Sequence, residues 1–271
     1  VYTPDGRSLY LTRDIATVFY RKEHFKFDKA LYVVGIPQTL HFNQLKEILK
    51  RLNLNYADQI EHVGFGHVRG MKTRGEGGVI ELDEFLDEAY DKALKAYHDD
   101  VSKRPEDIDD KEVARNVALA AIVFSNLNKN RIKDVHFSWE HALAFQGDSG
   151  PYVLYAYARI NSVKEKAAEN GIELKSQVKA ELLTEDSAYN LAALIADFDE
   201  SLEKTEKDNE PAHLCAYMLD LAKALSKAYQ DLKVVGEEKE TAEARLCLFA
   251  KAQDTLGEAI ELLGLKPLQK M

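Results

Sequence analysis

The sequence predicts an incomplete α/β unit followed by an all-α helical bundle. Up to about Gly78, short apolar runs rich in β-branched residues alternate with amphipathic helical stretches. From Asp110 onward the whole chain has the 3.6-residue period of helices. Between them lies a polar stretch, 102–110, that contains Pro105.

A first helix is expected to begin at Thr12 or Arg13, with Ile15, Val18, Phe19 and Phe25 on its apolar face and Asp14 in its first turn. ALYVVGIP (30–37) reads as a buried parallel strand, closed by Gly and Pro. A second helix runs from about Leu40 to Leu52 with Leu45, Ile48, Leu49 and Leu52 inward, and IEHVGFGHV (60–68) is a second strand. Strand, helix, strand and helix in succession signal a doubly wound sheet. Two strands are too few for a stable sheet, so the expectation is that further strands precede Val1 or come from another chain. After Gly78 an acidic amphipathic helix (79–97) leads to the polar stretch. Helices are then expected over 111–127, 148–170, 187–205, 210–235 and 238–264, with the segment 131–145 crossing between the two parts. Asp148 ahead of Pro151, Pro211, and glycines 171, 236 and 264 fit helix starts and stops.

A composition of 45% hydrophobic and 30% charged residues is that of a globular protein. The longest apolar runs, such as VALAAIVF (117–124), are too short to span a bilayer. No charged-then-apolar leader opens the sequence, so the expectation is a cytoplasmic protein. Cys215 and Cys247 are too few and too far apart for a zinc site and read as buried free thiols. The net charge of −10 argues against indiscriminate nucleic-acid binding, but it is unevenly spread. Residues 1–76 carry 12 Lys and Arg against 8 Asp and Glu, whereas 77–112 carry 5 against 13. That distribution is compatible with recognition of one folded RNA through local patches and stacked bases.

Three clusters place polar residues at strand ends and helix starts, where open α/β sheets bind ligands: SLYLTRD (8–14), YVVGIPQTLHFNQ (32–44) and GFGHVRGMKTRGEGG (64–78). Tyr10 and Asp14, four apart, would share a face at a helix start, where a carboxylate and a phenol suit a guanidinium. On these residues alone Asp14 equally fits a helix-terminus charge partner with Tyr10 as packing. Gln38 follows the strand end; His41 and Gln44 share a helical face, and His41 also fits a plain helix-start histidine. The third cluster is a glycine-rich basic loop in which Lys72 and Arg74 suit phosphates, with an exposed basic turn as the plainer alternative. In the helical part Tyr152, Tyr155 and Arg159 make one helical stripe, beside Tyr157. Tyrosines with an arginine suit splayed bases, and packing is the alternative.

In type, order and spacing these clusters resemble the second half of the catalytic domain of class I arginyl-tRNA synthetases. GDSGPYVLYAYAR (147–159) closely resembles the Gly-Asp-Thr-Gly-Pro-Tyr-Leu-Gln-Tyr-Ala-His-Ala-Arg segment that opens that family's anticodon-binding bundle. The resemblance covers nearly all 271 residues. It implies that residues 1–109 are the second half of a Rossmann-like catalytic domain, 110–146 connecting helices that contact the tRNA stem, and 147–271 the helical anticodon-binding domain. It implies arginine contacts for Tyr10, Asp14, Gln38 and His41, and ATP contacts for Gln44, His67, Val68, Met71, Lys72 and Arg74. Met71-Lys72-Thr73-Arg74 is similar to the family's degenerate second signature, but Thr73 stands where most class I members have a lysine. The catalytic charge then falls to Arg74 or Lys72. Anticodon contacts are implied for Tyr152, Tyr155, Arg159, Tyr229 and Met271. The implied reaction is activation of L-arginine by ATP, with Mg2+, and transfer to tRNA(Arg), by an enzyme that is monomeric when complete. The family's first signature, a His-x-Gly-His-like turn, has no counterpart in the 271 residues. That absence leaves a non-catalytic tRNA- or protein-binding module as the second reading and predicts that these residues alone are inactive. No metal cage is expected.

Overall fold

The structure, a computed structural model, describes residues 4–69, 81–100 and 109–271. It divides into two compact units: Val1–Val68 with Arg131–Val135, and Arg69–Asn130 with His136–Met271.

In the first unit, helix α1 spans Tyr10–Phe25. It begins two residues or more before the expected start, because Leu9 already holds the extended backbone of a cap and its carbonyl accepts the Thr12 and Arg13 amides. Lys26, in the left-handed conformation at φ 50°, ends it. Only Val18 is fully buried on this helix. Ile15 and Leu11 pack beside it, one and two turns back, while Phe19 and Phe25 face outward, contrary to the sequence expectation. Strand β1 (Ala30–Gly35) passes through a 3-10 turn (Ile36–Gln38) into helix α2 (Thr39–Arg51), and strand β2 (Ile60–Phe65) follows. β1 and β2 are parallel, with Ala30 opposite Ile60 and Gly35 opposite Phe65. A helical crossover is what parallel neighbours require.

Phe42, Leu45 and Leu49 form the buried stripe of α2 and meet Val18, Ile60 and the inward residues Tyr32 and Val34 of β1. Leu52, expected inward, caps the helix and is exposed. β1 is not buried on both faces either. Leu31 and Val33 point away from the helices and Val33 is 66% exposed, so only the Tyr32–Val34 face is covered among the described residues.

β2 ends at Phe65 because Gly66 lies hard against the Lys133 backbone, which a Cβ would strike. Its amide donates to the Arg131 carbonyl at 2.8 Å. A short strand β3 (Val68–Arg69) pairs with β4 (Val135–His136).

In the second unit, α3 (Leu82–Asp100) packs on α4 (Asp110–Leu127), and a single turn, α5 (Trp139–Ala142), precedes the bundle. The bundle comprises α6 (Gly150–Glu169), α7 (Asp186–Ala196), α8 (Phe198–Asp208), α9 (Pro211–Asp231) and α10 (Lys239–Leu262) around one apolar core. The helix expected over 187–205 is two helices. Tyr217 Oη donates at 2.8 Å to the Leu194 carbonyl, the acceptor that the Phe198 amide would take in an unbroken helix, and the Phe198 ring lies 5.5 Å from that of Tyr217. Cys215 is buried and free as expected, but Cys247 is only partly covered.

Candidate functional site

The early start of α1 decides how its polar residues are placed. Tyr10 is the first helical residue, so Asp14 stands one turn further along the same face and past the first turn, which contains no acid. Asp14 is therefore no charge partner for the helix terminus. Its Oδ2 instead lies 2.6 Å from His41 Nε2. His41 is the third residue of α2 and Gln38 closes the 3-10 turn just before it, so the Asp14–His41 pair ties α1 to the first turn of α2. Tyr10 is 81% exposed, with the Arg13 guanidinium 6.0 Å from its ring centroid. Arg13 Nε also donates to Ser8 Oγ at 3.2 Å. Gln44, one turn beyond His41, helps line an open groove of about 490 Å³ with Leu11, Asn43, Glu47, Ile48 and Arg51.

His67 and Val68 leave the end of β2, both exposed. The His67 amide donates to Asp134 Oδ1 at 2.9 Å, and its ring Nδ1 lies 3.8 Å from the same oxygen. Arg131 donates to the Gly64 carbonyl at 2.8 Å. Arg131 and Asp134 thus set the exit of β2, a role the sequence could not signal because 67 residues separate each from its partner. Met71, Lys72 and Arg74, with the glycines of their loop, lie outside the described residues.

In the helical unit, Ser149 rather than Asp148 caps α6, its hydroxyl accepting the Tyr152 amide at 3.2 Å. Asp148 binds Lys223 Nζ at 2.8 Å on α9, a hydrogen bond that raises the lysine's pKa and keeps it charged. One turn beyond Tyr155, the Arg159 guanidinium sits 4.5 Å from that ring's centroid and 5.1 Å from the ring of Tyr229 on α9. Tyr155 and Tyr229 are 39% and 41% exposed. A planar cation between two phenols is a stacking platform with its rims open to solvent. Tyr152, on the same stripe, is half-buried, its hydroxyl 3.3 Å from Ser226 Oγ. Tyr157 turns the other way and packs its ring over Gly257. Met271 packs against the core, and its neighbours Gln269 and Lys270 bind Asn161 and Glu165, on a different side of α6 from Arg159. Four of the five residues expected to read an anticodon therefore share one surface; Met271 does not.

Residues 1–139 match the family described as tRNA synthetases class I (R), catalytic domain, and residues 153–271 match the DALR anticodon binding domain. The chain belongs to the class I arginyl-tRNA synthetases. Among curated relatives, the probable cytoplasmic arginine–tRNA ligase of Dictyostelium discoideum is 39% identical over 271 residues, which are all of this chain and 45% of the relative. The cytoplasmic arginine–tRNA ligase of Saccharomyces cerevisiae is 36% identical over 273 residues, 44% of its length. The solved arginyl-tRNA synthetase of Thermus thermophilus superposes over the whole chain with a TM-score of 0.88 at 26% identity, covering 50% of that protein. The chain thus spans about half the length of the relatives it matches. The synthetase fold accounts for a small parallel sheet joined to a helical bundle, as the sequence predicted. No described helix of the chain is long and apolar enough to cross a membrane, and its described residues hold no cluster of three metal-ligating side chains.

Proposed function

We propose that this chain supplies the arginine-selecting and anticodon-reading parts of an arginine–tRNA ligase. The whole protein then joins L-arginine to ATP as arginyl-adenylate and transfers the arginyl group to tRNA(Arg). Asp14 receives the guanidinium, Tyr10 stacks or hydrogen-bonds beside it, and Gln38 and His41 complete that end of the pocket. Gln44, His67, Val68 and Met71 line the nucleotide. Lys72 and Arg74 bring positive charge to the phosphates as the pyrophosphate leaves, an effect strongest in the transition state. Mg2+ enters on the ATP phosphates, since a nucleotide-bound magnesium needs no all-protein cage. Residues 1–109 act as the second half of the catalytic domain, 110–146 as connecting helices against the tRNA stem, and 147–271 as the anticodon reader. Free cysteines fit a reducing cytoplasm, and we take the complete enzyme to be a monomer.

The observation that carries the RNA half of this reading is the Tyr155–Arg159–Tyr229 stack. An apolar bundle face would place leucines there; two partly open phenols on either side of a guanidinium offer splayed bases stacking faces, and their hydroxyl and N–H groups offer hydrogen bonds to base edges, with Tyr152 on the same surface. Binding of the full-length protein should be compared between arginine tRNA and a version with the second anticodon base changed. Weaker binding of the altered tRNA is expected; equal affinity would exclude an anticodon site here.

A further inference from the structure

The hydrogen bond between Asp14 and His41 changes the role of the histidine. A guanidinium docks best on a carboxylate through two parallel bonds, one to each oxygen. Here Oδ2 of Asp14 is already engaged by His41 Nε2 at 2.6 Å, with both side chains only partly exposed. Two consequences depend on the state of the imidazole. When neutral, it donates one N–H, fixes the carboxylate rotamer and leaves the aspartate its negative charge, so Oδ1 is presented to a cation. When doubly protonated, it forms an ion pair with Asp14, cancels the charge that draws a cationic side chain and competes for the same oxygens.

We infer that His41 is a positioning residue for arginine recognition, acting through Asp14, and that its second proton closes the arginine seat. This rests on the proposal that Asp14 receives the guanidinium, and it assigns His41 a part in setting the pH range over which arginine is bound.

Among the described residues, the other charged and titratable groups on the elements packed here have partners elsewhere, and His41 is the one hydrogen-bonded to this carboxylate. On α1, Arg13 is turned to Ser8 and the Tyr10 ring. On β2, His62 Nε2 donates to the Val34 carbonyl, 2.9 Å away, and the ring stacks on Phe42 at 4.7 Å, so it has its own partners. The 3-10 turn before α2 (Ile36–Gln38) carries no charge. In the 3-10 turn before β2 (Ala57–Gln59), Asp58 is paired with Lys46 and Lys50 near the other end of α2.

The test is calorimetric binding of arginine alone, without ATP or tRNA, to the full-length protein and its His41→Gln, His41→Ala and Asp14→Asn variants, between about pH 5.5 and pH 8, the interval in which histidines titrate. Wild type should lose roughly tenfold in affinity across that interval as pH falls. His41→Gln keeps an N–H donor to Asp14 but cannot take the proton, so it should bind as wild type does at pH 8 and stay nearly flat in acid. His41→Ala should bind several-fold more weakly at pH 8, with no added loss in acid. An acid-side loss in His41→Gln as large as in wild type, or a flat wild-type profile, would overturn the inference; the first result would move the pH dependence to another group such as His62. Failure of the underlying reading looks different: Asp14→Asn would then bind arginine as tightly as wild type at every pH.

Discussion

In the proposed reading, Arg159 and the tyrosines around it serve recognition without carrying the fold. The guanidinium lies over two rings that are each about two-fifths exposed, so its removal opens no cavity in the core. Arg159→Ala is expected to weaken tRNA binding by about 1–3 kcal/mol, the usual worth of a lost stacking contact, while the unfolding midpoint stays near wild type. Paired measurements of binding and thermal unfolding check this, and a large drop in the midpoint with unchanged binding would make the stack structural. Elsewhere in the bundle two groups respond to alkali. Burial, with Glu210 adding a repulsive charge, pushes the Cys215 thiol from its ordinary 9.0 up to about 12, and burial likewise raises the Tyr217 phenol. Both keep their protons when folded and lose them sooner when unfolded. Their contribution to stability is therefore complete below pH 9 and is lost as pH rises from there toward 12. Denaturant titrations should show the helical unit weakening above pH 9, and Cys247 should react with iodoacetamide well before Cys215 in the native protein. Equal labelling rates would show that Cys215 is not shielded.

The helices show what a sequence displays and what it withholds. Leu45 and Leu49 on α2 and the Tyr152–Tyr155–Arg159 stripe on α6 follow from spacing, though Phe42 takes the inward place the spacing gave to Leu52, and the glycines at 171, 236 and 264 take positive φ where the periodic runs stop. The break between α7 and α8 was hidden because it depends on a tyrosine some twenty residues later taking a backbone carbonyl. The true start of α1 was hidden because Leu9 caps through its backbone, with no polar side chain to mark the spot. Site residues followed the same division. Tyr10, Asp14, Gln38 and His41 could be nominated from strand ends and helix starts, but the contact between Asp14 and His41 spans 27 positions and belongs to tertiary packing. The entry to α6 is the most testable local feature. Ser149 is buried, caps the helix and also donates to the Ala144 carbonyl, so Ser149→Ala should cost about 1–2 kcal/mol of stability. Gly150 sits where α6 crosses α4, and a Cβ there would run into the Ala120 carbonyl. Gly150→Ala, normally helix-favouring, should therefore destabilise instead, by roughly 1–3 kcal/mol. Chemical denaturation of both variants checks the pair; a stabilised Gly150→Ala would mean that the crossing is looser than described.

At the scale of the molecule, each unit has its own core, a small one under the parallel strands and a large one in the bundle. Among the described residues, β1 has one uncovered face and its sheet has two strands, fewer than a stable sheet needs. A polypeptide of these 271 residues alone, without a His-x-Gly-His turn, is expected to form no adenylate yet to bind arginine tRNA weakly and in a strongly salt-dependent way. Filter binding across salt and pyrophosphate exchange on that polypeptide check both halves, and robust exchange would show that the catalytic apparatus lies wholly within it. In the full-length protein, Arg74→Ala and Lys72→Ala identify the cation that meets the phosphates, by a fall in turnover larger than any change in the Michaelis constant for ATP. The most direct test of arginine selection is ATP–pyrophosphate exchange by the full-length protein and its Asp14→Asn variant, supplied with each amino acid in turn. Exchange should be stimulated by arginine and by no other amino acid, and the variant should lose it by a factor matching about 2–5 kcal/mol, since a guanidinium is left without its counter-ion. Stimulation by a different amino acid, or arginine-dependent exchange at wild-type efficiency in Asp14→Asn, would contradict it.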